Sequence, residues 1–235
     1  GRLLALPMEP DWVPGERAAY SSWVNWFVLA LVIEALDGRP IDQVVAEEII
    51  EPLGMRDSAL RLTADQYRSY GERLGWVHLT VAGSAFRAPM LDTEAAATGW
   101  WPAGSGRGPY RELAKFYEAM LADAAGGGPG LLTPASVEKI TRPDRVGLFD
   151  EAWRTHTSWG LGCVSDGRAF GRHASPETWG HHGAMSSVVL ADPKHSLVVA
   201  AILNGMPAES IQLGRADHKR FRTLAEQIYE DLALA

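Results

Sequence analysis

From Trp23 to Leu36 the chain reads WVNWFVLALVIEAL, an apolar run broken only by Asn25 and Glu34. A bilayer span needs about 20 such residues, so this run predicts a buried helix instead. Ser21 or Ser22 is placed to cap it, and Asp37-Gly38 supplies residues that tolerate the left-handed turn at its end. Ile41, Val44, Val45, Ile49 and Ile50 then recur at helical spacing, with Asp42 in the first turn and Pro52 as a stop. Further on, PYRELAKFYEAMLADA puts Leu113, Phe116, Tyr117, Met120 and Leu121 on one stripe, an amphipathic helix ended by GGGPG. TPASVEKI starts another helix, with Thr133 as cap and Pro134 in the first turn. The stretch 56–108 is mixed. GWVHLTVAG predicts a short strand, and GWWPAGSGRGP (Gly99–Pro109) a glycine-rich loop.

The period changes in the last third. SWGLGCV, MSSVVLA and SLVVAAILN are β-rich runs, and DPKHS joins the last two as a turn headed by Asp-Pro. DHKRFRTLAEQIYEDLALA closes the chain as a helix with Phe221, Leu224, Ile228 and Leu232 on one face. The pattern is α+β: a helical lobe over 1–145, then antiparallel strands and a terminal helix covering them over 146–235. No internal repeat is visible.

Composition narrows the function. The chain has 235 residues, 46% hydrophobic and 22% charged, enough for a substantial core. A net charge of −7 with scattered arginines argues against a nucleic-acid binder. The single cysteine, Cys163, excludes an internal disulfide and any cysteine-based zinc cluster, and reads as a small buried residue. Nothing in the chain names a compartment.

The chemistry concentrates in WGHHGAMSSVVLADP (Trp179–Pro193). Three readings compete for its histidines. As metal ligands, His181 and His182 would join His156 and His173. Adjacent strand residues point to opposite faces, however, and no Asp or Glu stands at a completing spacing. As ordinary residues they merely open a strand. The third reading comes from the surroundings: Gly-His-x-Gly, small residues, a β-run, Asp-Pro, a second β-run and Asn-Gly. This order resembles the C-terminal part of the serine β-lactamase-like family, which includes class C β-lactamases, penicillin-binding proteins and related esterases.

Other segments are similar to that family in order. PGERAAYSSW resembles its Pro-Gly and Tyr-x-Asn stretch, and EPLGM its Pro-Leu-Gly-Met. AGSGRGPYRELAKFYEAMLA, GLLTPASVEKIT and SWGLG resemble its glycine-rich loop and helix, its later helix and its Gly-x-Gly strand. The resemblance implies a β-lactamase/transpeptidase-like α+β fold, incomplete at the N-terminus. It implies that Tyr20 is the general acid/base and that His181 faces the substrate. Gly183 leaves room along the strand edge, and the Ala184 amide is an oxyanion donor. No metal or organic cofactor is implied, and the partner is a small-molecule ester or amide.

Two departures shape the expectation. The tyrosine motif reads Tyr20-Ser21-Ser22, with a serine where the family has Asn. Ser22 is a shorter donor and acceptor than an amide, while Asn25 lies about one helical turn on. That favours esters over β-lactam-type amides. The family's nucleophile, the Ser of Ser-x-x-Lys, precedes the tyrosine motif, yet no serine stands among the 19 residues before Tyr20. The chain's own Ser136-Val137-Glu138-Lys139 aligns with a later surface helix, and Glu138 would hold Lys139 charged. Three explanations stay open: a piece of a longer protein, pairing with an N-terminal companion, or a non-catalytic relative. The first is expected. Among nine tryptophans, core packing is expected for most. Trp100 and Trp101, beside the glycine-rich loop, are kept as pocket candidates. Arg107 in that loop is placed either to meet a substrate carboxylate or to stand as a surface arginine, and His182 is expected to be structural.

Overall fold

The computed structural model describes residues 5, 7, 9–21, 23–88, 93–183, 187–207 and 218–235. Its centre is an antiparallel sheet. Strands β3 (Arg145–Asp150) and β4 (Thr155–Trp159) form a hairpin, and β5 (Trp179–Gly183), β6 (Ser187–Asp192) and β7 (Leu197–Ile202) form a meander. Val164 pairs with both Trp159 and Gly180 and so joins the two.

Both faces of this sheet are covered, which is why β6 is buried along nearly its whole length. Val188, Leu190 and Val199 pack with Trp159, Phe170, Phe221 and Ala225 on one face. Trp179 and Ala191 pack with Met120, Val137 and Cys163 on the other. The first face is closed by the terminal helix (His218–Asp231). The second is closed by helices over Tyr110–Ala124 and Pro134–Thr141. The terminal helix seats Phe221, Ala225 and Tyr229 rather than the expected Leu224 and Leu232, which stay exposed. The buried face drifts because Ala225 and Tyr229, not leucines, supply the close contact.

In chain order the helices are α1 (Val24–Asp37), α2 (Ile41–Val45), α3 (Ala64–Tyr70), α4 (Glu94–Thr98), α5 (Tyr110–Ala124), α6 (Pro134–Thr141) and α7 (His218–Asp231). Helix α2 runs into a π-turn over Ala46–Ile50, which breaks the spacing of Ile49 and Ile50, and of its five expected apolar positions only Ile41 is buried. Thr133 caps α6 by accepting from the Ser136 N–H, with Pro134 in the first turn. A small sheet pairs β1 (His78–Val81) antiparallel with β2 (Ser84–Arg87) and parallel with β8 (Gly205–Pro207). The β1–β8 pairing joins residues from either side of the expected 145/146 boundary.

The largest correction concerns α1. It ends as expected at Gly38, with φ 88°, but its N-cap is Trp23, without a side-chain cap. Ser21, two residues before that N-cap, still accepts the first-turn Asn25 N–H through its Oγ, in a long hydrogen bond of 3.5 Å. The helix is not buried: Ala30 alone is, while Leu29 is 52% and Leu36 84% exposed. Its apolar residues run all round, so one packed side leaves the rest uncovered.

Candidate active site

Tyr20 lies on the extended segment that leads into α1, and that segment is tied to the end of β3. Arg17 makes two hydrogen bonds of 2.7 Å to Glu151, and the Glu151 N–H donates to the Ala18 carbonyl at 2.9 Å. The Tyr20 N–H donates to Asp150 Oδ1 at 3.1 Å. These contacts hold the backbone at Tyr20 beside the sheet, and its ring lies over it. It stacks on Trp159 with centroids 5.6 Å apart and planes 4° apart, and it leans on Trp153 at 5.4 Å. The ring of His181 is also 5.4 Å away.

His181 reaches that position because strand alternation aims it at the Tyr20 side of β5. His182 points the other way, is buried, and stacks on Phe170 at 4.9 Å. His181 Nδ1 lies 2.7 Å from the His182 carbonyl. A carbonyl oxygen only accepts, so Nδ1 carries the proton and Nε2 keeps a lone pair. Burial holds the His181 pKa below its ordinary value, against the opposing effect of that carbonyl, so the ring is neutral at pH 7. Burial likewise pushes the Tyr20 phenol up. A hydrogen bond with Trp26 opposes the rise, and the Asp150 charge adds to it.

Tyr20, Ser21, Asn25, Trp26, Leu29, Arg145, Trp159, Leu161 and His181 line one cleft of about 140 Å³. Small-molecule sites usually run to roughly 300–1,000 Å³, so this is a partial pocket, with exposed Leu29 and Leu161 at its rim. Arg145 is its one permanent cation among the described lining residues.

The structure thus brings Tyr20, Asn25 and His181 together. Gly183 sits at the end of β5 opposite Ser187, and a Cβ there would stand 2.2 Å from Ser187 Oγ, a hydroxyl that a rotamer change can move aside. Trp100 and Trp101 do not line the cleft. They pack against Phe27 (4.7 Å) and Trp23 (4.4 Å) on α1. Arg107 turns its guanidinium onto the carbonyls of Gly104, Ser105 and Gly106, while its backbone pairs with Ala59. Ser22 and Ala184 lie outside the described residues. Ser136 hydrogen-bonds Thr133 at the start of α6, and Lys139 is exposed, so the pair serves a helix end and not the cleft. Among the described residues no three His, Cys, Asp or Glu side chains converge as a ligand set.

Sequence reasoning missed Asp150, Trp153 and Arg145, and set Trp26 and Trp159 aside as core. Only Trp159 carried a signal, its place just before the Gly-x-Gly of SWGLG. Gly160 there cannot accept a side chain: a Cβ would meet the Ile140 carbonyl at 2.4 Å.

A tyrosine ahead of an apolar helix, facing a histidine on a middle strand of a helix-covered antiparallel sheet, defines a β-lactamase/transpeptidase-like α+β protein. The chain belongs to the beta-lactamase family, whose family model matches residues 5–221. It is similar to the "Putative D-alanyl-D-alanine carboxypeptidase" of Escherichia coli (strain K12), with 23% identity over 208 residues, 83% of this chain and 46% of that protein. The chain therefore spans about half the length of the curated relatives it matches. Among solved structures it is similar to EstA from Arthrobacter nitroguajacolicus Rue61a (TM-score 0.71, 18% identity, covering 96% of this chain and 63% of that one). It is also similar to a penicillin-binding protein homolog from Caulobacter crescentus (TM-score 0.63, 22% identity, 90% and 61%). A third is EstCE1, a hydrolase with promiscuous acyltransferase activity (TM-score 0.65, 21% identity, 88% and 57%). No helix among the described residues is long and apolar enough to cross a membrane.

Proposed function

We propose that this chain carries the proton-transfer and substrate-facing part of a serine hydrolase or acyltransferase that acts on a small ester or amide, esters preferred. The nucleophile comes from a segment outside these residues. The observation that carries this reading is the meeting of Tyr20 and His181, 161 positions apart (181 − 20), across one cleft with ring centroids 5.4 Å apart. In the completed site a serine Oγ attacks the carbonyl carbon. The neutral lysine of the supplied Ser-x-x-Lys draws off the Tyr20 proton, Tyr20 Oη as phenolate takes the serine proton and returns it to the leaving group, and the Ala184 amide donates to the oxyanion. His181, neutral with Nε2 free of its own proton, accepts a hydrogen bond from substrate or serine without adding charge. The esterase preference is supported by Ser22 and Asn25 in place of the motif Asn. A wall from a further segment is supported by the small cleft and the uncovered α1. The helical and β-rich parts act as two halves of one site, Tyr20 from the first and His181 from the second.

A second reading, a non-catalytic binding domain on the same fold, is favoured by the raised Tyr20 phenol. A tyrosine base needs a cation to draw its proton off, and the lining offers only exposed Arg145. The experiment is to assay short p-nitrophenyl esters and labelling by a serine-directed phosphonate, with this chain alone and with the upstream segment supplied in cis or in trans. The chain alone is expected to be inert. The completed protein is expected to turn over, and Tyr20→Phe to lower kcat by about 100-fold, the scale for a positioned acid/base. A folded but inert completed protein would select the binding domain.

A further inference from the structure

We propose that Asp150 is a positioning residue for Tyr20, its carboxylate fixing both the tyrosine backbone and the two indoles that box its ring. The inference rests on the reading of Tyr20 as the acid/base. Asp150 is 1% exposed at the end of β3. Its Oδ1 accepts from the N–H groups of Tyr20 (3.1 Å), Ala152 (3.0 Å) and Trp153 (2.9 Å). Its Oδ2 accepts from the Trp159 indole N–H at 3.1 Å. The donors come from three separate places: the segment before α1, the turn after β3, and the end of β4. A residue needed only to shape the turn would hold Ala152 and Trp153 alone. This one also reaches Tyr20 from one side and Trp159 from the other, and Trp159 is the ring on which Tyr20 stacks.

The charge matters to the geometry. A buried carboxylate persists only when N–H donors replace its lost hydration. Four donors from three segments converge on this one carboxylate. Tyr20, Trp153 and Trp159 are therefore locked as a set around one ion. That set fixes the phenol relative to His181, with Arg145 the other charged group lining the same cleft. A proton-transfer group displaced by about 1 Å loses roughly 100-fold in rate, so such a lock has catalytic consequence.

Each substitution separates a different part of this lock. In Asp150→Asn the amide oxygen still accepts the three backbone N–H groups, but its NH2 meets the Trp159 indole N–H donor to donor. Asp150→Glu keeps the charge and moves it by one methylene. Trp159→Phe keeps a ring under Tyr20 and deletes only the indole bond. The position of Tyr20 is read in this chain by 13C-tyrosine NMR, with Tyr20→Phe assigning the resonance. Stacking on an indole gives the Tyr20 ring an upfield ring-current shift. Both Asp150 variants, which leave the indole in place, are expected to reduce that shift in folded protein. In addition, Asp150→Asn is expected to lower the phenol pKa, because the carboxylate charge helps raise it, whereas Asp150→Glu is not. In the completed enzyme, Asp150→Asn and Asp150→Glu are each expected to lower kcat by about tenfold or more, with KM changed less than threefold.

An unchanged Tyr20 ring shift in folded Asp150→Asn and Asp150→Glu protein would overturn the inference and leave Asp150 a turn residue. If one Asp150 variant unfolds the other decides; if both do, hydrogen exchange of the Tyr20 amide, which donates to Asp150, decides in Trp159→Phe: unchanged protection overturns the lock, and lost protection supports it. Full activity of Tyr20→Phe in the completed enzyme sinks the acid/base reading instead, and does so independently of any ring shift.

Discussion

His181 donates through Nδ1 to the His182 carbonyl, 2.7 Å away, and this one bond sets its tautomer. Burial makes the imidazolium unfavourable there. In NMR titration its ring is expected to have a midpoint below the ordinary histidine value of about 6.5. The sign for stability follows. The unfolded chain binds the proton first as pH falls, so the native state loses stability from about pH 6.5 down to the folded midpoint, and no further from this group below it. His181→Asn, which cannot take up a proton, is expected to lessen that acid-side loss. The check is denaturant midpoints measured for both proteins across the acid range; equal pH dependence would show that His181 is not the group responsible.

At the level of elements, the join between β6 and α7 rests on a second buried carboxylate. Asp192 is fully buried at the end of β6. It accepts from Tyr229 Oη at 2.6 Å, Ser175 Oγ at 2.6 Å, the Ser175 N–H at 3.0 Å and the Lys194 N–H at 3.1 Å. Burial alone would raise its pKa, but the bonds from Ser175 and Tyr229 outweigh it and hold the pKa below the usual carboxylate value. The stability this contributes is present above the unfolded-state pKa of about 4 and disappears as pH falls through the folded value. Tyr229→Phe removes one bond to a charged acceptor and is expected to cost about 1.5–3 kcal/mol at neutral pH, read by urea unfolding. The loss should shrink in acid as Asp192 protonates. A cost that persists undiminished at low pH would assign the effect to packing of the ring instead.

The whole molecule is defined by what α1 leaves open. Leu29, Val32, Ile33 and Leu36 are exposed along one side of a single helix and Leu31 on another, apolar surface of the kind that marks an interface. Val32→Gln combined with Leu36→Gln touches one stripe of it, one turn apart. In this chain the pair is expected to change unfolding free energy by less than about 0.5 kcal/mol for each position, as surface substitutions do, while lowering dye binding and self-association. On the proposed reading, in which a nucleophile-bearing segment completes the site, the same pair should weaken capture of that segment supplied in trans. Analytical ultracentrifugation and a pull-down with the tagged segment read both. Unaltered capture would place the segment's contact elsewhere on the molecule.

Much of this was legible in the residues themselves. Thr133-Pro134 announces a helix start, Asp37-Gly38 a helix end, and the two β-rich runs joined by Asp192-Pro193 an antiparallel pair, because caps, left-handed turns and tight turns depend on neighbours within a few positions. The ordered motifs around Tyr20 and His181 likewise pointed to the family. The burial of α1 was not legible: an all-round apolar helix has no pattern that says which side finds a partner. Nor was Asp150, an acidic residue at a strand end whose four donors converge only after β3, β4 and the Tyr20 segment meet. The tryptophans sort for the same reason. Trp159 joins the cleft and Trp101 packs on Trp23, a difference made by chain crossing and invisible in spacing. Local chemistry, written in short stretches of sequence, decided the elements and the candidate acid/base. Tertiary structure decided which side chains share a cleft, because desolvation and hydrogen-bond convergence are properties of segments brought together, not of any one of them.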